Sequence, residues 1–280
     1  MTRLLLLALT LFATLPALRA ESDPLQIELV SEQSSVQPGH SFYVGLHLRH
    51  RQGYHTYWSY PGIVGVPTAM AWKLPPGFTA GPIEWPAPER VLMYKIKAQG
   101  FEGECILPIK ITPPDNLPAE QKNLTLQGKA SWMCCGEDCN PGFKELTLTL
   151  PFTPEAPTMN ASTAPLFAQA HQNVSVPLHD WSATATLAGD KVVIHLTPTS
   201  AVARQSLPTL KAGTFFTEDG VTDANKLEEF EKDASGVTYS LGLSQYAPTP
   251  LPKTLRGVVA ASQSWTPQGG KAMSVELPLQ

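Results

Sequence analysis

The sequence predicts an all-β protein made of two β-sandwich domains in tandem. Short alternating or β-branched stretches recur along the chain, while amphipathic helical runs are scarce. Between them, 27 prolines and 20 glycines mark frequent turns. Setting aside a leader leaves about 260 residues, enough for two separate cores.

The leader is residues 1–20. A cationic start, Met1-Thr2-Arg3, precedes the apolar run "LLLLALTLFATLPAL", and Ala20 precedes the polar "ESDP". This is the pattern of a secretory signal peptide cut after Ala20. Without it, 18 basic and 24 acidic side chains remain, a net charge of −6. No basic stripe is available for nucleic acid, and no later segment approaches the roughly 18 apolar residues of a membrane span. The expectation is an exported chain in a compartment where disulfides persist.

The first domain, residues 21–152, is read from six strands: "QIELV" (26–30), "SFYVGLHLR" (41–49), "TAMAWKL" (68–74), "CILPIKIT" (105–112), "NLTLQG" (123–128) and "ELTLTLPF" (145–152). The proline-rich "TPEAPTMNASTAP" opens a linker, 153–170. The second domain, 171–280, is read from "WSATATL" (181–187), "VVIHLT" (192–197), "VTYSLGL" (237–243), "RGVVAAS" (256–262) and "MSVEL" (273–277). Only "DANKLEEFEKD" (223–233) has helical content, as a short exposed excursion.

Three of the four cysteines fall within "CCGEDC", 134–139, at the connection between two strands. A structural staple is the ordinary reading in an exported β-domain. A Cys135–Cys139 bridge, however, closes only five residues, worth about 2 kcal/mol in the chain-entropy model. A bond between the adjacent Cys134 and Cys135 would force a strained ring. Zinc lacks a second ligand pair, so no metal site and no cofactor is expected. With Gly136 for freedom and Pro141 at the exit, the loop suits a disulfide that opens and closes.

The residues also carry a resemblance. "GYHTYWSYPGIVGVPTAMAWKLPPGFTAGPIEWPAPER" (53–90), "QGFEGECILPIKITPP" (99–114) and Trp132-x-x-Cys135-x-x-x-Cys139-x-Pro141 resemble the periplasmic amino-terminal region of DsbD-type thiol:disulfide interchange proteins. The likeness is to the suppressor-of-copper-sensitivity branch, also labelled disulfide bond corrector. "TFFTEDGVTDAN" (214–225) and "LRGVVAASQSW" (255–265) are similar to that branch as well. The resemblance implies immunoglobulin-like domains and a catalytic pair at Cys135 and Cys139. Cys134 stands where an apolar residue is usual, which leaves open whether Cys134 or Cys135 is the partner of Cys139.

By that resemblance Cys139 forms the mixed disulfide and Cys135 resolves it, as a component of a protein-disulfide reductase. The implied partners are a membrane-embedded DsbD-like electron donor and thioredoxin-fold periplasmic proteins, both transient, with no nucleic acid. A capping loop over the disulfide maps to "VLMYK" (91–95), offering Met93 and Tyr94. Cys105 and Cys134 are left as a second pair, with a bridge favoured slightly over two buried thiols. No base is evident, since Glu137 and Asp138 disfavour a thiolate, and His55 reads as a packed, hydrogen-bonded residue. Two alternatives stand beside the relay: a copper-handling module using Cys134, Cys135, Cys139 and Met133, and a non-catalytic interaction module.

Overall fold

The structure, a computed structural model, describes residues 23–115, 122–265 and 270–280. The expected signal peptide, residues 1–20, lies outside the described residues. The strands of the N-terminal half are β1 (Leu25–Ser31), β2 (Phe42–His50), β3 (His55–Tyr57), β4 (Ala69–Lys73), β5 (Thr79–Ile83), β6 (Glu89–Met93), β7 (Ile96–Glu102), β8 (Glu104–Thr112), β9 (Asn123–Cys135) and β10 (Cys139–Pro151). Helix α1 (Ala164–Asn173) follows, then β11 (Val176–Pro177), β12 (Trp181–Ala188), β13 (Lys191–Pro198) and the short helix α2 (Ala201–Ser206). The chain ends with β14 (Gly213–Thr217), β15 (Glu228–Lys232), β16 (Val237–Gly242), β17 (Thr254–Ala261) and β18 (Ala272–Pro278). It is a nearly all-β protein, as the alternating stretches predict.

Four sheets result. One has the order β1-β2-β8-β5, and a second has the order β10-β9-β3-β7-β6 with β4 also on β9. Their facing residues form one core: Leu25, Ile27 and Leu29 of β1 alternate inward, and Leu124, Leu126 and Ala130 of β9 meet them from the other sheet. In the C-terminal half, β11-β18-β17-β14 and β12-β13-β16-β15 enclose a second core around Ile194, Tyr239, Val259 and Trp265. Phe216, Val258 and Ala272 from the C-terminal half belong to the first core rather than the second. The two halves therefore meet along an apolar seam.

Two expectations change. Residues 153–170 are not a free linker, because α1 begins at Ala164 and lies against the N-terminal half with Phe167 fully buried. Phe167 fits there because Gly45 leaves room, where a Cβ would stand 3.1 Å from the ring. The Thr163 hydroxyl anchors the helix start by donating to the Ser31 carbonyl at 2.6 Å. The helical excursion at 223–233 is instead the edge strand β15, paired with β16. Its Phe230 meets Tyr239 edge-on at 5.3 Å and Glu228 is half-buried on the same face, while Glu229 and Glu231 alternate to the exposed side, as suits a sheet edge.

Candidate functional site

β9 and β10 form a hairpin of two 13-residue strands, and their register ends on the pair Cys135↔Cys139. Residues directly opposite on antiparallel strands bring their Cβ atoms to about 4.5–5.5 Å, within reach of a disulfide. The bond Cys135–Cys139 is present, with Cα atoms 4.1 Å apart. The turn closes through the Gly136 N–H, which donates to the Asp138 carbonyl at 2.8 Å. Position 136 must be glycine because a Cβ would lie 2.6 Å from the Gly53 carbonyl oxygen and 2.8 Å from the Tyr54 ring.

Strand alternation decides between the adjacent cysteines. β9 continues to Cys135, so Cys134 and Cys135 point to opposite faces. Cys134 joins the inner core with Leu126 and Ala130, and its thiol donates to the Pro24 carbonyl at 3.7 Å. Burial pushes that thiol up to about 12. Cys135 joins a small outer cluster with Tyr57, Val91 and Ala98, flanked by Val64, Met93 and Met133.

The bridge favoured between Cys105 and Cys134 does not form, since both are free. Cys105 lies on β8, opposite Leu48, whereas Cys134 lies on β9 in the other sheet. The strands that would have to be neighbours face each other across the core instead. Burial pushes the Cys105 thiol up to about 12 as well, with Glu89 and Glu104 adding to it.

The two bonded sulfurs have unequal surroundings. Cys135 is 1% exposed, while Cys139 is exposed at the end of β10. Tyr94, 69% exposed, occupies the tight turn between β6 and β7 at φ 56°, a left-handed conformation that a bulky side chain adopts only at a cost of order 1–2 kcal/mol. Its hydroxyl donates to the Glu137 carbonyl at 3.3 Å, so the side chain reaches across to the redox turn. Met93, one residue earlier, packs beside Cys135. On the other flank, the Tyr54 hydroxyl donates to Asp138 Oδ1 at 2.9 Å and Asn140 Nδ2 donates at 2.8 Å. Those two bonds, the tyrosine's first, hold the Asp138 carboxyl below its ordinary range. The Arg51 guanidinium stacks 4.3 Å from the Tyr54 ring centroid.

His55 differs from its expected role. It is packed at 1% exposure, yet among the described residues its Nε2 has no hydrogen-bond partner. It stands directly opposite Cys135 across β3 and β9. The spacing of "YHTYW" already put His55 and Tyr57 on one face, but their position beside Cys135 depends on a pairing between distant strands. The loop 61–67 completes the cover: Val64 packs into the cluster, and Pro67 bridges to Tyr57. Among the described residues, no group of three or more His, Cys, Asp or Glu is placed to hold a metal ion.

Comparison with known proteins follows the same lines. Residues 23–151 match the family described as "Thiol:disulfide interchange protein DsbD, N-terminal". No curated protein matches. Among solved structures, the N-terminal periplasmic domain of ScsB from Proteus mirabilis superposes with a TM-score of 0.63 at 17% identity, over 92% of this chain and 94% of that one. That likeness speaks to the fold. A protein of unknown function from Porphyromonas gingivalis W83 aligns over 92% of this chain and 99% of that one, at 11% identity and a TM-score of 0.26, too loosely to add to it. Residues 23–151, the stretch that matches the DsbD N-terminal thiol:disulfide interchange family, hold the disulfide, its hairpin and its outer cluster.

Proposed function

We propose that this chain is a periplasmic thiol–disulfide exchange protein, relaying reducing equivalents from a membrane-embedded thiol reductase to oxidised thioredoxin-fold proteins through Cys135 and Cys139. Residues 21–152 carry the exchange, and 171–280 form a second β-sandwich that braces them. The observation that supports this best is the asymmetry of the bond: Cys139 is exposed to an incoming thiolate, and Cys135 is shielded from everything but Cys139. Exchange needs access to one sulfur and protection of the other. Tyr94 and Met93 supply that protection as a cap on the turn. Among the described residues no helix is long and apolar enough to cross a membrane.

In the reducing direction, the donor thiolate attacks Cys139 Sγ. A donor–Cys139 disulfide forms, and Cys135 leaves with the electron pair of the broken bond. The donor's second thiol then attacks its own sulfur, releasing Cys139 and leaving the donor oxidised. A Cys135→Ser variant expressed in its native cells is expected to accumulate a mixed disulfide on Cys139, identified by mass mapping with a thioredoxin-fold partner. A variant that traps no such partner, together with wild-type protein that stays fully oxidised while the reductase is present, would refute the relay. The copper-handling alternative loses Cys134 from its ligand set, because that thiol faces the inner core.

A further inference from the structure

The delivering half-reaction raises a question of proton transfer. Cys139 thiolate attacks a disulfide sulfur of the oxidised target, forming a Cys139–target bond and expelling the target's other sulfur as a thiolate. Cys135 then attacks Cys139 Sγ, the Cys135–Cys139 bond forms, and the remaining target sulfur leaves with its electron pair. The target gains two electrons, which the cysteine pair loses. Cys135 must be a thiolate at that moment, so its proton needs an acceptor. Solvent barely reaches it at 1% exposure, among Tyr57, Val91 and Ala98. Asp138 is exposed, and Tyr54 and Asn140 already occupy one of its oxygens.

His55 occupies the position from which the proton can be taken. Cys135 faces it from β9, and its own ring meets Tyr57 edge-on, with centroids 5.1 Å apart. Directly opposed residues have Cβ atoms about 4.5–5.5 Å apart, so a Cys135 side chain freed from the disulfide can turn its sulfur toward the ring. A buried polar atom without a partner costs stability, and where a fold keeps one it calls for a functional explanation. Nε2 of His55 is such an atom in the oxidised protein.

We propose that His55 is the proton acceptor for Cys135, in a Cys–His pair that forms only when the disulfide is reduced. This rests on the exchange reading of the site. The titratable groups facing the ring are Cys135 on β9, Tyr57 on β3 and Glu102 on β7, with His50 just ahead of the strand. Burial and then His50 bring the imidazole down to about 4, so the ring is neutral at pH 7 in the oxidised protein; a thiolate forming beside it favours the imidazolium and so raises its proton affinity as the pair forms. Tyr57 also has an unpartnered hydroxyl, but burial pushes it up to about 12, and a phenol of that kind takes no proton from a thiol. The imidazolium formed beside the thiolate stabilises it, then returns its proton to the leaving target thiolate or to water.

The test follows the two steps separately. Fully reduced protein is mixed with one equivalent of dithiobis(nitrobenzoate). Attack by Cys139 releases the first thionitrobenzoate, and resolution by Cys135 releases the second. A Cys135→Ser control, which forms the mixed disulfide but cannot resolve it, identifies the second phase and subtracts slow reaction at Cys105 and Cys134. His55→Gln and His55→Phe are expected to leave the first phase unchanged and slow the second on the order of 10²-fold at pH 7, the low end for a general base. The difference should close as pH rises and hydroxide takes over. Using both variants guards against either one failing to fold. Second phases with the wild-type rate and pH profile overturn the proton-acceptor role while leaving the redox pair intact. A wild-type protein with no second phase overturns the exchange reading itself.

Discussion

Gly65 lets the loop 61–67 lie against Tyr57, a neighbour of Cys135 in the outer cluster. Its φ is +100°, and a Cβ there would overlap the Tyr57 ring. Gly65→Ala is therefore expected to lift the loop 61–67 off the outer cluster and to cost about 1–3 kcal/mol in urea unfolding. In the reduced variant Cys135 should alkylate faster with iodoacetamide, and an unchanged rate would show that this loop does not shield it. His55 sets a pH dependence at the same scale. Its folded value of about 4 lies below the 6.5 of the unfolded chain, so the fold favours the neutral ring. The stability it protects is complete above about pH 6.5 and is lost as pH falls toward 4. His55→Gln should flatten the stability profile across that window, and equal slopes in the two proteins would assign the titration to other groups.

At the scale of elements, α1 is a core component. Phe167→Ala should cost about 3–5 kcal/mol, read as a lower urea midpoint, because a fully buried ring leaves a cavity beside Gly45. A midpoint within error of wild type would mean that the helix is only draped over β8. The longer strands were legible in the sequence where one buried face imposes a period of two, as in β1 and β13. β3 has only three residues, and β15 is mostly charged, so neither carries that signal by itself. Helix α1 was hidden by the proline and small polar residues just before it. Within the site, the Cys135–Cys139 spacing pointed to the bonded pair, and the choice between Cys134 and Cys135 was also within reach. Carrying the alternation of Leu124 and Leu126 on through Ala130 places Cys134 with the inward set. Reading the strand as ending at residue 128 concealed this. The positions of His55, Val64 and Tyr94 depend on pairings between distant segments, which a single sequence does not encode locally.

For the molecule as a whole, the seam between the halves has a polar clasp as well as an apolar strip. Arg90 donates to the Phe215 carbonyl at 2.6 Å and to Glu228 at 3.0 Å, and lies 4.7 Å from the Phe216 ring centroid. Gln99 donates to the Thr217 carbonyl at 2.9 Å, and Asn225 bonds the backbone of Lys97 on both sides. Arg90→Ala removes the cation beside Glu228, leaving it the Phe215 N–H at 3.3 Å, and should cost about 2–3 kcal/mol, less than a fully buried pair because both side chains keep some solvent. Its unfolding curve should split into two transitions where the wild type shows one; a curve that stays single and unshifted would mean that the clasp adds nothing to cooperativity.

β9 also acts as a partition. Its inner side chains belong to the main core, and its outer side presents Met133 and Cys135 to the small cluster around the disulfide. Opening the disulfide releases a loop of five residues, about 2 kcal/mol of chain entropy, on the side away from that core. The inner layer is thus insulated from the electronic state of the outer one. On the proposed exchange reading the chain can be reduced and reoxidised without being asked to refold, and a thiol one residue away stays out of circulation because it lies on the wrong side of the wall.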